Sequence, residues 1–168
     1  FPYLKLFDTA LDLLPTVKGS VWRGVPLDIG KNFTKNQIFT WWSISSCSSS
    51  VNVIEQFLQS KNNSTLFLIE VVNGKKVSGY TEYEAEDEVI LRIGTEFRVK
   101  ADPLKRADGS HTVHLIEIND NDEDDRQPLA AAMKSLDVKP KPVNSKVSSE
   151  LNRNLIKVDF RLIKMRKL

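Results

Sequence analysis

Apolar side chains recur at Leu4, Phe7, Leu11 and Leu14, the step of one helix face, and Pro15 stops the pattern. The chain is therefore expected to open on an amphipathic helix that packs on a sheet. Residues 21–25 and 38–42 are short apolar and aromatic runs that predict strands, separated by a loop holding Pro26, Gly30 and Asn32. Beyond a serine-rich stretch at 43–50, read as loop and helix cap, Val51, Ile54, Phe57 and Leu58 share a helical face. That spacing predicts a second helix, with Ser49 or Ser50 accepting its first amide hydrogens. Residues 66–72 form an apolar run broken only by Glu70, which suits a buried strand ended by a turn at Asn73-Gly74. Residues 88–93, 96–100 and 112–118 predict further strands, with Asp108-Gly109 turning the chain between the last two.

The pattern changes after Asp120. An acidic run of Asp120, Asp122, Glu123, Asp124 and Asp125 is followed by Pro128, Pro140 and Pro142, which predicts a linker around a short Ala-rich helix at 129–136. Ile156, Val158, Phe160 and Leu162 then alternate with Lys157, Asp159 and Arg161, as in a half-buried strand, a basic tail helix being the alternative. Residues 1–120 are thus expected to form one domain and 121–168 an acidic, proline-containing linker with a basic C-terminal segment.

Composition narrows the class. The 168 residues are 40% hydrophobic and 27% charged, ordinary for a folded globular chain, and no apolar run approaches the roughly 18 residues of a membrane span. A net charge of +2 is too small to imply a nucleic-acid or membrane partner. The single Cys47 has no partner for an internal disulfide, which points to a reducing, cytoplasmic setting, with a secreted toxin as the alternative. His111 and His114 lie three apart on an expected strand and would face opposite sides, so no metal site is expected. Neither a glycine-rich dinucleotide fingerprint nor a P-loop is present.

Three short pieces carry candidate chemistry: Val21-Trp22-Arg23-Gly24-Val25, then Trp42-Ser43-Ile44-Ser45-Ser46-Cys47-Ser48, then Tyr83-Glu84-Ala85-Glu86-Asp87-Glu88 running into the apolar strand Val89-Ile90-Leu91. In this order they resemble the arginine-serine-glutamate class of mono-ADP-ribosyltransferases, the clostridial-toxin-like, arginine-directed group. The likeness covers roughly residues 1–120, with Cys47 where the family usually has threonine and with part of the N-terminal helical subdomain lacking. The resemblance implies an α+β fold of two packed, mostly antiparallel β-sheets flanked by helices, with an NAD cleft between them. It implies NAD consumed as a substrate, with no recycled cofactor, and ADP-ribose passed to an exposed arginine of a protein partner as nicotinamide leaves.

The residues suit that chemistry. Breaking the nicotinamide–ribose bond develops positive charge on the sugar, so a fixed carboxylate beside it, Glu88, is valuable. Arg23 offers a planar guanidinium able to grip a diphosphate, and Gly24 lets the backbone approach nicotinamide closely. The resemblance gives Ser46 the task of holding Glu88. Glu86, two residues before Glu88, would project to the same side of an extended segment and bind the acceptor arginine, which remains protonated below a pKa of about 12. The resemblance implies that Tyr83 or Tyr80 contacts the protein substrate. The acids Glu82, Glu84, Glu86, Asp87 and Glu88 together favour a basic acceptor. Trp41 and Trp42 are read as core or pocket wall.

Plainer readings exist for each piece. An acidic run beside a strand is ordinarily a solvated edge, a strand arginine an ion pair, and a serine cluster a loop. Two other functions fit the same motifs: an NAD glycohydrolase, in which water replaces the arginine, and a non-catalytic NAD- or protein-binding module of the same fold.

Overall fold

A computed structural model describes residues 2–59, 63–77, 79–82 and 84–119. The elements are α1 (Pro2–Asp12), β1 (Thr16–Val25), β2 (Ile38–Trp41), β3 (Ser45–Ser48), α2 (Val51–Leu58), β4 (Thr65–Lys76), β5 (Glu88–Leu91), β6 (Thr95–Val99), β7 (Leu104–Lys105) and β8 (His111–Glu117). Short 3-10 turns occupy Gly30–Asn32 and Glu84–Glu86. The helix expected at 129–136 and the strand or helix expected near 156–162 lie outside the described residues.

The strands follow the order β1-β3-β5-β4-β8-β6-β2, with β7 on β8 and a further pairing of β1 with β4. Because β1 pairs with both β3 and β4, and β5 with the same two, these four antiparallel strands close on themselves. The other half, β4-β8-β6-β2, is an open sheet whose β4–β8 pair is parallel. The expected two sheets are therefore present as halves that share β4. Their inward faces meet in a single core.

Strand alternation builds that core. Phe67, Ile69 and Val71 of β4 point inward with Val113 and Leu115 of β8 and Phe97 and Val99 of β6. Trp41 stands edge-on to Phe67 at 5.6 Å and to Phe97 at 4.8 Å, and Phe33 packs edge-on to Phe67 at 5.5 Å. Each such pair contributes about 0.5–1.5 kcal/mol beyond the area it buries. Trp42 differs from the expectation: it follows the last paired residue of β2, the alternation sends it outward, and it is 60% exposed.

Two further expectations are corrected by long-range pairing. Asn73-Gly74 does not end β4, which continues to Lys76, because β1 pairs along it as far as Lys75 while β5 takes over at Lys75 and Lys76. Glu117 satisfies the amides where β4 parts from β8, accepting Val72 N at 2.6 Å and Asn73 N at 3.0 Å. Gly74 is needed there because a Cβ would lie 2.8 Å from Val89 Cγ1. Neither Ser49 nor Ser50 caps α2 with its side chain; Ser50 is the N-cap residue, and its amide donates to Ser48 Oγ at 3.0 Å.

The opening helix forms where expected, with Leu11 its one buried residue. Arg92, just past β5, fastens it by ion pairs with Asp12 and, at 3.5 Å, with Asp8. Among the described residues no helix is long and apolar enough to cross a membrane.

Candidate functional site

β3 lies between β1 and β5, with Trp22 opposite Ser48 on one side and Ser46 opposite Ile90 on the other. This adjacency brings together three residues far apart in sequence. Arg23 Nη1 donates to the Ser46 carbonyl at 2.9 Å, and Ser46 Oγ donates a short hydrogen bond to Glu88 Oε1. The Arg23 guanidinium also stands 5.6 Å from the centre of the Trp41 ring. Burying a guanidinium is costly unless such partners are supplied. Arg23 is 1% exposed and Glu88 7%, so both ends of the line are buried.

Ser46, Ser48, Glu88 and Ile90 share one face of the β3–β5 pair, while Cys47, Val89 and Leu91 point into the core. Cys47 is 2% exposed and packs as a small apolar side chain. Its departure from the family's threonine therefore falls on the side away from Glu88.

Glu88 and Ile90 form part of the wall of a cleft of about 700 Å³. Phe7 and Leu11 of the opening helix, with Leu14 just beyond its end, face them, and the segment carrying Val77, Tyr80 and Glu82 closes a third side. The volume lies within the roughly 300–1,000 Å³ usual for small-molecule sites, and the mostly apolar wall with few acids is their usual lining. Tyr80 is 78% exposed at this edge. Tyr83 lies outside the described residues. Arg23 does not form part of this wall; its guanidinium donates to the Ser46 carbonyl.

Gly24 has a packing role that the sequence did not reveal. A Cβ there would lie 2.9 Å from Ile54 Cγ2 and 3.0 Å from Leu58 Cγ, so its missing side chain is what lets α2 lie close on β1.

Glu86 departs from the extended geometry expected of it. It ends the 3-10 turn Glu84–Glu86, and Asp87, between it and Glu88, takes a φ of 45°. Strand alternation therefore does not relate the two glutamates. The turn is instead tied to the end of β3: Ser48 Oγ donates to the Glu86 carbonyl at 2.6 Å, and Ser49 N donates to the Asp87 carbonyl at 3.2 Å. Sequence reasoning did not single out Ser48, whose only signal was its place two residues after Ser46.

Three other carboxyls are held below the usual carboxylate range. The Lys31 ammonium does this for Asp28, with His111 adding to it; Lys100 does it for Glu70, helped by His114; and hydrogen bonds from Ser110 do it for Asp108. The two histidines thus pair with separate acids, His111 with Asp28 and His114 with Glu70, each at 2.8 Å. Among the described residues no group of three potential metal ligands occurs.

The fold is that of solved ADP-ribosyltransferases. Similar solved structures are the ADP-ribosyltransferase Vis from Vibrio splendidus, with a TM-score of 0.61 and 22% identity, and HopU1 of Pseudomonas syringae pv. tomato, with 0.60 and 21%. Exoenzyme S from Pseudomonas aeruginosa is similar at a TM-score of 0.53 and 18% identity. The alignments cover 72%, 70% and 82% of this chain, respectively. The chain spans 58% of the Vis chain, 53% of the HopU1 chain and 67% of the exoenzyme S chain. No family model and no curated protein sequence matches it.

Proposed function

We propose that this chain cleaves NAD between nicotinamide and ribose and transfers the ADP-ribose to the guanidinium of an arginine on a protein acceptor. The observation that carries the reading is the hydrogen bond from Ser46 to Glu88, which lines the cleft, with Arg23 bound to the same serine. A carboxylate oriented before substrate arrives stabilises developing positive charge without reorganising at the moment of reaction.

In this scheme Glu88 engages the ribose hydroxyls and faces the charge that builds on the sugar. The C–N bond to nicotinamide breaks, and its electron pair leaves with the now neutral nicotinamide. A guanidinium nitrogen of the acceptor forms the new bond to the same carbon, and Glu86 accepts the proton it gives up. Arg23 pairs with the diphosphate, and the Gly24 backbone adjoins the nicotinamide. Tyr83 or Tyr80 contacts the protein acceptor. NAD is consumed, and no recycled cofactor is required.

Two neighbours support the substrates. Exoenzyme S was solved bound to carba-NAD and in complex with 14-3-3 protein beta, and Vis was solved with agmatine, which carries the guanidinium of an arginine side chain. Vis is a toxin. That favours action outside the producing cell over the cytoplasmic placement suggested by the lone Cys47.

A second reading, NAD glycohydrolase, draws on the position of Glu86 in a turn instead of on the extended strand that carries Glu88. It needs Arg23, Ser46 and Glu88 alone. Incubation with NAD and an arginine-rich acceptor, read by mass spectrometry, separates the outcomes. ADP-ribose on arginine supports transfer, free ADP-ribose alone supports hydrolysis, and intact NAD leaves a non-catalytic binding module.

A further inference from the structure

Ser48 is 2% exposed, and its hydroxyl is engaged on both sides. It donates to the Glu86 carbonyl at 2.6 Å and accepts the Ser50 amide at 3.0 Å. Ser49 adds the neighbouring contact, its amide donating to the Asp87 carbonyl. The segment so gripped includes Asp87 at a φ of 45°, a left-handed conformation that a residue with a side chain keeps only where its surroundings hold it. Glu86 stands on this turn, so its position relative to Glu88 depends on the anchoring of the turn.

We propose that Ser48 is the positioning residue for the acceptor carboxylate. It holds the backbone from which Glu86 reaches the incoming arginine, and so sets whether ADP-ribose goes to that arginine or to water. The inference rests on the transfer reaction proposed above. The two serines divide the two glutamates between them: Ser46 holds the carboxylate of Glu88, and Ser48 holds the main chain of Glu86. Because the Ser48 bond is made to a carbonyl, it engages neither carboxylate oxygen of Glu86. Loosening the turn would displace Glu86 and leave the Ser46–Glu88 contact on β3 and β5 in place. A shift of about 1 Å in a group that orients a reactant is enough to cost up to about a hundredfold in rate.

The test compares the wild-type chain, Ser48→Ala and Ser48→Thr in steady-state assays with NAD alone and with NAD plus an arginine-containing peptide. Nicotinamide release and peptide adduct are quantified together, and thermal unfolding confirms that each variant is folded. Ser48→Ala is expected to lower the ratio of transfer to hydrolysis about tenfold, the scale of one hydrogen bond, through kcat for transfer and with KM for NAD unchanged. Ser48→Thr, which retains the hydroxyl, is expected to restore the ratio. Equal loss of transfer and hydrolysis in folded Ser48→Ala, or an unchanged ratio, overturns the assignment. A wild-type chain that hydrolyses NAD without modifying the peptide overturns it too, since no acceptor step would exist. A wild-type chain with neither activity removes the proposed function itself, and this inference with it.

Discussion

Ser46 on β3 donates a hydrogen bond across the strand pair to the carboxylate of Glu88 on β5, while its own carbonyl accepts from Arg23 on β1. One serine thus joins a buried cation to an acid at the cleft wall. The cross-strand register that pairs Ser46 with Ile90 makes this possible, since Glu88 then lies diagonally opposite on the same face.

The first prediction concerns the serine itself. Ser46→Ala removes the donor that orients Glu88, and nicotinamide release is expected to fall about tenfold to a hundredfold, with much less change in thermal stability. Retention of full activity in this variant would separate the Ser46–Glu88 contact from the reaction.

Glu86 should behave differently. In Glu86→Gln the acceptor loses the carboxylate that binds it and takes its proton, so arginine modification is expected to vanish while appreciable NAD hydrolysis persists. Measuring adduct and free ADP-ribose in one reaction checks this. Parallel loss of both products contradicts the role given to Glu86.

Arg23→Lys tests the cationic end of the line. The shorter-reaching ammonium cannot reproduce the planar contacts with the Ser46 carbonyl and Trp41, and a cost of about 2 kcal/mol is expected from the loss of a charged hydrogen bond. Urea unfolding gives that number. Calorimetry with NAD on the folded variant is expected to show weaker binding, and unchanged affinity would remove the diphosphate from the role of Arg23.

Gly24→Ala probes the contact between β1 and α2. The added methyl meets Ile54 Cγ2 and Leu58 Cγ, and overpacking of this kind costs about 1–3 kcal/mol. Combining it with Ile54→Ala is expected to destabilise less than the sum of the two single changes, because the second change makes room for the first. Additive effects would show that the crowding is relieved by another route.

The acid limb of stability follows from Glu70 and Asp108. Both have folded pKa values below their unfolded ones, through Lys100 and through Ser110 respectively, so each contributes stability that is fully present above the unfolded value near 4. That contribution is lost as pH falls through the lower folded value. Glu70→Gln and Asp108→Asn are therefore expected to differ from wild type at pH 7 and to converge with it in acid. Unfolding curves at several pH values measure this, and a gap that persists in acid rejects it.

Much of this was legible in the sequence where local period and burial agree. The apolar run at 66–72 and the strand pattern at 112–118 predicted β4 and β8, whose inward residues fill the core, and the spacing of Leu4, Phe7 and Leu11 predicted the opening helix. The order of Arg23, Ser46 and Glu88 along the chain likewise anticipated three residues that the fold links by hydrogen bonds.

What escaped the sequence was decided by distant partners. Asn73-Gly74 carries a local turn signal, but pairing with β1 and β5, together with the Glu117 carboxylate, keeps β4 extended through it. β3 reads as a serine loop because serine favours strands weakly; it is a strand because β1 and β5 lie on its two sides. The turn at Glu86 has no local signature either, since the serines that hold it lie at the end of β3 and just beyond it. The packing role of Gly24 depends on Ile54 and Leu58 of α2, far along the chain, and so has no local signature.

The central claim is that Glu88 acts on NAD. Nicotinamide release from NAD by the wild-type chain and by Glu88→Gln, each confirmed folded by its unfolding curve, tests it most directly. The account predicts steady release by the wild type and essentially none by the variant. Equal release by both would show that NAD is cleaved without this carboxylate, and no release by either would show that the cleft does not cleave NAD.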